Sequence, residues 1–368
     1  MTSKAFANAT DANRQQGGRR NLIINGAMQV AQRGTSTSGI TSGTSNFVVD
    51  RFPFRVGSQG TWTMSQSTDT PDGFSNSLKL DCTTADGTTS AGDQIRLTHK
   101  LEGQDLQQFK FGSSSASRMT LSFWVKSNKT GTYTLEFFNN DASRTISVEY
   151  TISSASTWEN KVITIDGDSS GSFDNDNNNS LEIIWWLAAG SNFNGGTFNT
   201  SWSANVNANR VSSSQVNLAD DTANEWYITG VQLEVGDTAT PFEHRSYGEE
   251  LALCQRYFQT LYPESGGRTI FSMGYYADGS FLRFVAQFLS PMRATPSTSY
   301  VGSGNSAEGY GVTAGASVRT GFTFNTEVTT NRSTVLQANK TNHGLSITEN
   351  NVNFIMNPNN GLQMDAEL

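Results

Sequence analysis

The residue types that could do covalent or metal chemistry are few in this chain and poorly spaced for it. Histidine occurs three times, as His99, His244 and His343, too scattered for a metal-binding motif. The sequence has no phosphate-cradling glycine loop, dinucleotide fingerprint or nucleophile elbow, so no cofactor is expected. Glu249 and Glu250 are adjacent, leave a helix on different faces and cannot form an acid/base pair. Two carboxylates brought together by folding would still support glycoside hydrolysis. The run Asp174 to Ser180, DNDNNNS, lacks the glycine and terminal glutamate of an EF-hand; it reads as a solvated loop, with a structural calcium site as the alternative. Cys82 and Cys254 read as two buried thiols, with a disulfide joining them as the alternative.

Aromatic surface is the more promising chemistry. A flat ring can bind the apolar C–H face of a pyranose while polar neighbours fix its hydroxyls. The candidate ligand residues are Trp124, Lys126, Trp185, Trp186 and Trp202. Trp124 leads because strand alternation puts it on one face with Ser122 and Lys126. The competing reading buries these tryptophans in a core or under a partner chain.

Strands must position them. Charged residues are only 16% and glycine numbers 34, with much Ser, Thr and Asn, a mix that suits short strands and frequent turns. QIRLTHKL puts Ile95, Leu97, His99 and Leu101 on one face, and MTLSFWVKS turns Met119, Leu121, Phe123 and Val125 inward. LEIIWWLAA, from Leu181, is apolar on both faces and reads as a central, doubly covered strand. Near the start, Asp50 is expected to pair with an arginine, Arg33 or Arg51, and lock the opening segments together. About ten strands at short spacing indicate a jelly-roll β-sandwich over residues 21–245.

All 7 tryptophans precede residue 230, a composition shift that supports a boundary near 245–263. Ser246, followed three residues later by Glu249, reads as a capping box opening a helix over 246–262. Leu251, Cys254, Phe258 and Leu261 would form its apolar stripe, either covering the sandwich or meeting symmetry mates as an oligomer interface. Residues 263–368 read as a smaller antiparallel β module, with a hairpin turn at Asp278-Gly279. Residues 1–20 are polar and aperiodic, a flexible tail or an arm that orders on docking.

Other classes are disfavoured. A net charge of −8 argues against nucleic acid. No apolar run approaches the roughly 20 residues of a membrane span, and no signal-peptide core is present.

Four stretches carry family resemblances. ITGVQLEVGDTATPFEHRSYGEELALCQRYFQ closely resembles the end of a β-sandwich module of tail-fibre and other virion structural proteins of tailed bacteriophages. NLIING…QRG with VDRF resembles the opening of that module, and FLSPMRATPS resembles a segment that comes after it. SFWVKSNKTGTYTLEF is similar to jelly rolls of the carbohydrate-binding-module class. The resemblance implies a non-enzymatic virion protein made in the host cytoplasm. It would be a homotrimeric tail fibre anchored to another virion protein through residues 1–20, binding a host surface glycan. A capsid decoration protein and a glycan-degrading fibre enzyme are the alternatives.

Overall fold

The computed structural model describes residues 20–43, 45–261, 269–278, 281–301, 324–339, 351–356 and 361–368. Nearly all of the arm expected at 1–20, and Gly279 of the expected turn, lie outside the described residues. The chain divides into two compact units, the first running to Glu250 and the second spanning Leu251–Glu367.

The first unit is a jelly-roll sandwich. In chain order its strands are β1 (Ser36–Ile40), β2 (Phe54–Gly57), β3 (Thr61–Ser67), β4 (Ser77–Thr84), β5 (Gln94–Glu102) and β6 (Met119–Ser127). They continue with β7 (Gly131–Asn139), β8 (Arg144–Ile152), β9 (Glu159–Ile165), β10 (Asn179–Ala189), β11 (Ser203–Ala204) and β12 (Glu225–Val235), with a short helix α1 (Ser191–Asn194) after β10. Two six-stranded sheets result, ordered β1-β3-β4-β12-β6-β9 and β11-β8-β7-β10-β5-β2. Up to β10, successive strands switch sheets except in the hairpins β3–β4 and β7–β8. That alternation makes the fold a jelly roll and not a meander.

One continuous core fills the space between the sheets. The inward set of β6 is buried as its alternation requires, and β10 lies between β7 and β5 with apolar residues buried on both faces. His99 also faces inward, its ring 4.7 Å from that of Phe52. Burial pushes the Cys82 thiol up to about 11, and Cys82 and Cys254 are both buried thiols not joined by a disulfide.

The two stretches that resemble the ends of the phage module touch each other. Arg245 donates to the Ile23 carbonyl at 2.9 Å and to that of Asn21, and pairs with Glu250 at 3.3 Å. Glu250 in turn accepts the Asn25 N–H at 2.5 Å. Asn21 bridges from its own loop to β12, donating to the Val231 carbonyl at 3.1 Å and accepting from the Leu233 N–H at 3.1 Å. Gly26 is crowded so tightly that an added Cβ would lie 2.1 Å from the Val231 carbonyl oxygen. The opening segment is therefore buried coil whose backbone is satisfied by its own Asn21 and Asn25, by the β12 backbone and by side chains from the far end of the domain. Asp50, fully buried, accepts from the Gln32 side chain at 2.6 Å and lies 3.7 Å from the Arg33 guanidinium, the expected pair.

The helix is shorter than expected. Helix α2 (Tyr247–Gln255) begins at Ser246, whose hydroxyl accepts the Glu249 N–H at 3.3 Å. The chain then turns, and β13 (Phe258–Leu261) pairs with a strand near the C-terminus, Phe258 opposite Asp365 and Leu261 opposite Leu362. Leu251 and Cys254 are helical whereas Phe258 and Leu261 belong to a strand, so the four do not form one stripe. Phe258 is also buried within its own chain, which removes it from any seam between copies. The spacing fits a helix, but the backbone partners available at 362–365 draw these residues into a sheet.

The second unit contains β13, β14 (Thr269–Asp278), β15 (Phe281–Gln287), β16 (Ser297–Val301), β17 (Phe324–Thr329), β18 (Ser333–Asn339), β19 (Asn351–Met356) and β20 (Gly361–Asp365). They form sheets ordered β13-β20-β16 and β17-β18-β15-β14-β19, with β14 and β15 antiparallel as the hairpin reading requires. The FLSPMRATPS segment is tied into this unit, Gln259 accepting the Leu289 N–H at 2.8 Å and the Arg293 guanidinium donating to the Ala366 carbonyl at 2.9 Å.

Candidate functional site

The outer face of the first sheet carries the residues that strand alternation turns away from the core. On β12 these include Glu225, Tyr227 and Thr229; Tyr227 sits opposite Lys79 of β4 and Lys126 of β6, and Thr229 opposite Trp124. Trp124 is opposite Asn160 of β9. Trp158, just before β9, leans over the same face.

One charged pair organises the rings. Lys126, with 7% of its surface exposed, pairs with Asp69 from the loop after β3. Its ammonium lies 4.3 Å from the Tyr227 ring centroid and 5.5 Å from that of Trp158. The other Asp69 oxygen accepts the Trp158 indole N–H at 3.1 Å, and Trp158 meets Tyr227 edge to face at 6.1 Å. Both rings are thus fixed before any ligand arrives, through cation–π contact and hydrogen bonding together.

The electrostatics arise from these contacts. The Lys126 hydrogen bond holds the Asp69 carboxyl below its usual range, against its partial burial and with help from Trp158. Glu225 is also held low, because hydrogen bonds from Lys79 and Tyr227 outweigh the opposing effect of burial. Burial and the hydrogen bond to Glu225 push the Tyr227 hydroxyl up to about 12.

The aromatic strip continues past Trp124. At Gly230 (φ +63°), β12 has an irregularity between Thr229 and Gln232, and a Cβ there would lie 2.7 Å from Phe74 and 3.0 Å from Trp124. The missing side chain lets those two rings close over the strand. Phe74 meets Phe242 at 5.0 Å and the exposed His244 at 5.4 Å. Trp124, Trp158, Phe74 and Phe242 are all half-buried, each ring anchored with part of its surface open. Such a strip can stack on an apolar ligand face. Asp69 and Glu225 are held ionised, the opposite of the raised pKa a general acid needs.

The remaining predicted ligand residues do not join this site. Trp185 is fully buried between the sheets, against Phe52 and Phe123 at 6.4 and 5.8 Å, and cannot reach a ligand. Trp186 faces outward from the second sheet but is also fully buried, donating its indole N–H to Glu136 at 2.8 Å beneath the segment after β10. Trp202 is half-buried at another edge, against Phe111 at 5.5 Å, and donates to the Asp166 carbonyl at 2.8 Å. Lys126 lies in the site as a positioning residue whose ammonium is already engaged. Sequence reasoning missed Trp158, Tyr227 and Phe74. The alternation of β12 marks Tyr227 as outward-facing, but only cross-strand register shows which rings it joins.

No protein-family model and no curated protein matches this chain. Solved structures do. One is a putative sugar binding protein from Bacteroides thetaiotaomicron, 11% identical, covering 59% of this chain and 100% of that one at a TM-score of 0.33. Another is a family 11 carbohydrate-binding module from Clostridium thermocellum, 11% identical, covering 56% and 99% at 0.29. A third is the enzymatically active domain of tailspike protein 4 of bacteriophage CBA120, 16% identical at a TM-score of 0.31. That match covers 58% of this chain but only 21% of the tailspike chain. Likeness of this extent says nothing about what this chain binds. Among the described residues, no helix is long and apolar enough to cross a membrane.

Proposed function

We propose that the jelly roll binds a glycan on the outer face of its first sheet, with Trp124 and Trp158 as the stacking platforms. The observation that carries this reading is the clamp of Asp69 and Lys126, which holds Trp158 and Tyr227 in place while leaving part of the Trp158 ring open. Ordering the rings in advance removes an entropic cost that ligand binding would otherwise bear. The binding is non-catalytic, a reading supported by the lowered carboxylates of the site.

In our reading the chain is a virion structural protein of a tailed bacteriophage, a homotrimeric tail-fibre subunit anchored through residues 1–20 and contacting a host surface glycan. Support comes from the sequence resemblance at the two ends of the domain, together with the Asn21–Arg245–Glu250 network that gives both ends one structural task. Titrating the purified chain with host envelope polysaccharide while monitoring tryptophan fluorescence tests the binding. Saturable quenching that Trp158→Ala removes is expected, and its absence in the unaltered chain defeats the reading. New reducing ends in the same incubation would establish a glycan-degrading enzyme instead. Labelling of heads and not tails in electron micrographs would move the protein to the capsid surface. A solution mass near three times 40.0 kDa is expected, and a monomer defeats the self-assembling trimer.

A further inference from the structure

The outer face of the second sheet carries an arrangement that structural needs do not explain. Arg55 of β2 and Arg96 of β5 are directly opposite each other across the strand pair. Like charges in that position are destabilising. Neither guanidinium has a hydrogen bond or ion pair among the described residues, and the Arg96 Nε is buried without a partner. Arg96 lies 5.7 Å from the Trp186 ring centroid, and Arg210 approaches the same ring at 5.2 Å, so a third guanidinium adds to the local field. Burial, reinforced by Arg210 and Arg55 and only partly offset by Glu182 and Glu136, lowers the Arg96 pKa to about 10.

The carboxylates of this face are already engaged. Glu136 accepts from Arg210 at 2.8 Å, from Trp186 at 2.8 Å and from Thr145 at 2.9 Å. Glu182 accepts from Asn179 at 2.6 Å and lies 3.9 Å from Lys100. Arg55 is exposed and Arg96 is partly open to solvent, so their free donors are accessible from outside. Guanidiniums at directly opposed positions of neighbouring strands suit the paired oxygens of a carboxylate or sulfate.

We propose that Arg55 and Arg96 form a second binding site, on the sheet opposite the aromatic strip, that takes the oxyanion group of an acidic glycan. The proposal rests on the glycan-binding reading of the domain but uses different residues, so the two fail separately. The test is calorimetry and thermal unfolding of the full chain with a glucuronate oligosaccharide, its neutral glucose counterpart and inorganic sulfate. The acidic oligosaccharide should bind and raise the unfolding temperature. Arg55→Gln and Arg96→Gln should each weaken that binding about tenfold. Without ligand, Arg55→Gln should unfold no lower than the parent, since it relieves a repulsion. Equal binding of the acidic oligosaccharide by parent and arginine variants overturns the proposal. So does sulfate matching it at equal concentration, which leaves a counter-ion site only. Loss of neutral-glycan binding alone would instead count against the aromatic strip.

Discussion

Trp124 and Trp186 both point outward from interior strands of six-stranded sheets, yet Trp186 is wholly buried and Trp124 keeps part of its ring open. The difference lies in the path the chain takes beyond each strand. After β10 the chain folds back over its own sheet: Val211 joins Ile184 and Trp186 in a small cluster, Arg210 pairs with Glu136 at 2.8 Å, and Ser212 bonds Glu149. The first sheet receives the loop around Asp69 and Phe74, with Trp158 and the Phe242–His244 segment, which brace the rings at their edges. A tryptophan sealed by chain with its indole N–H satisfied serves stability. One held at its rim and open across part of its face is available for binding. Outward direction alone does not distinguish them.

Breaking the sealed side should give the largest effect. Trp186→Ala removes a fully buried ring and the hydrogen bond it donates to Glu136, so a loss of about 3–5 kcal/mol is expected in denaturant unfolding. Glycan affinity of the folded fraction should stay near the parental value, and a matching loss would erase the contrast between the faces. Trp158→Ala should do the reverse, weakening glycan binding roughly tenfold while costing less than about 1.5 kcal/mol of stability. A smaller effect is expected from Lys126→Met. It leaves the ring in place but unpairs Asp69, so affinity should fall a few-fold and Trp158 fluorescence anisotropy should drop.

Acid is the mildest perturbation. Asp69 and Glu225 have folded-state pKa values below their usual 3.8 and 4.5, so their stabilising contribution is complete above those values. It is lost as pH falls through the usual values toward the lower folded ones. Binding and Trp158 fluorescence should therefore be flat from about pH 7 to 5 and decline below about pH 4, with Trp186 unaffected over the same range. A midpoint near neutrality would rule out these two carboxylates as the cause.

Much of the fold could be read from the residues. The alternation of β5 and β6 named the inward sets correctly, and the two-sided apolarity of LEIIWWLAA placed β10 at the centre of its sheet. Asp50 found its arginine. The site was legible only in part. Trp124 and Lys126 were on the correct face, but Lys126 braces the rings instead of offering its charge to a ligand. The helical spacing of Leu251, Cys254, Phe258 and Leu261 was equally compatible with a helix running into a strand.

The sequence by itself determined the strand content and which side chains of each strand face together, because a two-residue period is a local property of extended backbone. Tertiary structure decided which strands are neighbours, in which register, and which outer face the chain returns to cover. Those outcomes depend on pairing partners distant in sequence, such as Tyr227 with Lys126 or Phe258 with Asp365, and on where a polar segment finds hydrogen bonds. Local pattern therefore turned Trp124 and Trp186 outward, and only the path of residues 190–217 sealed one and left the other in contact with water.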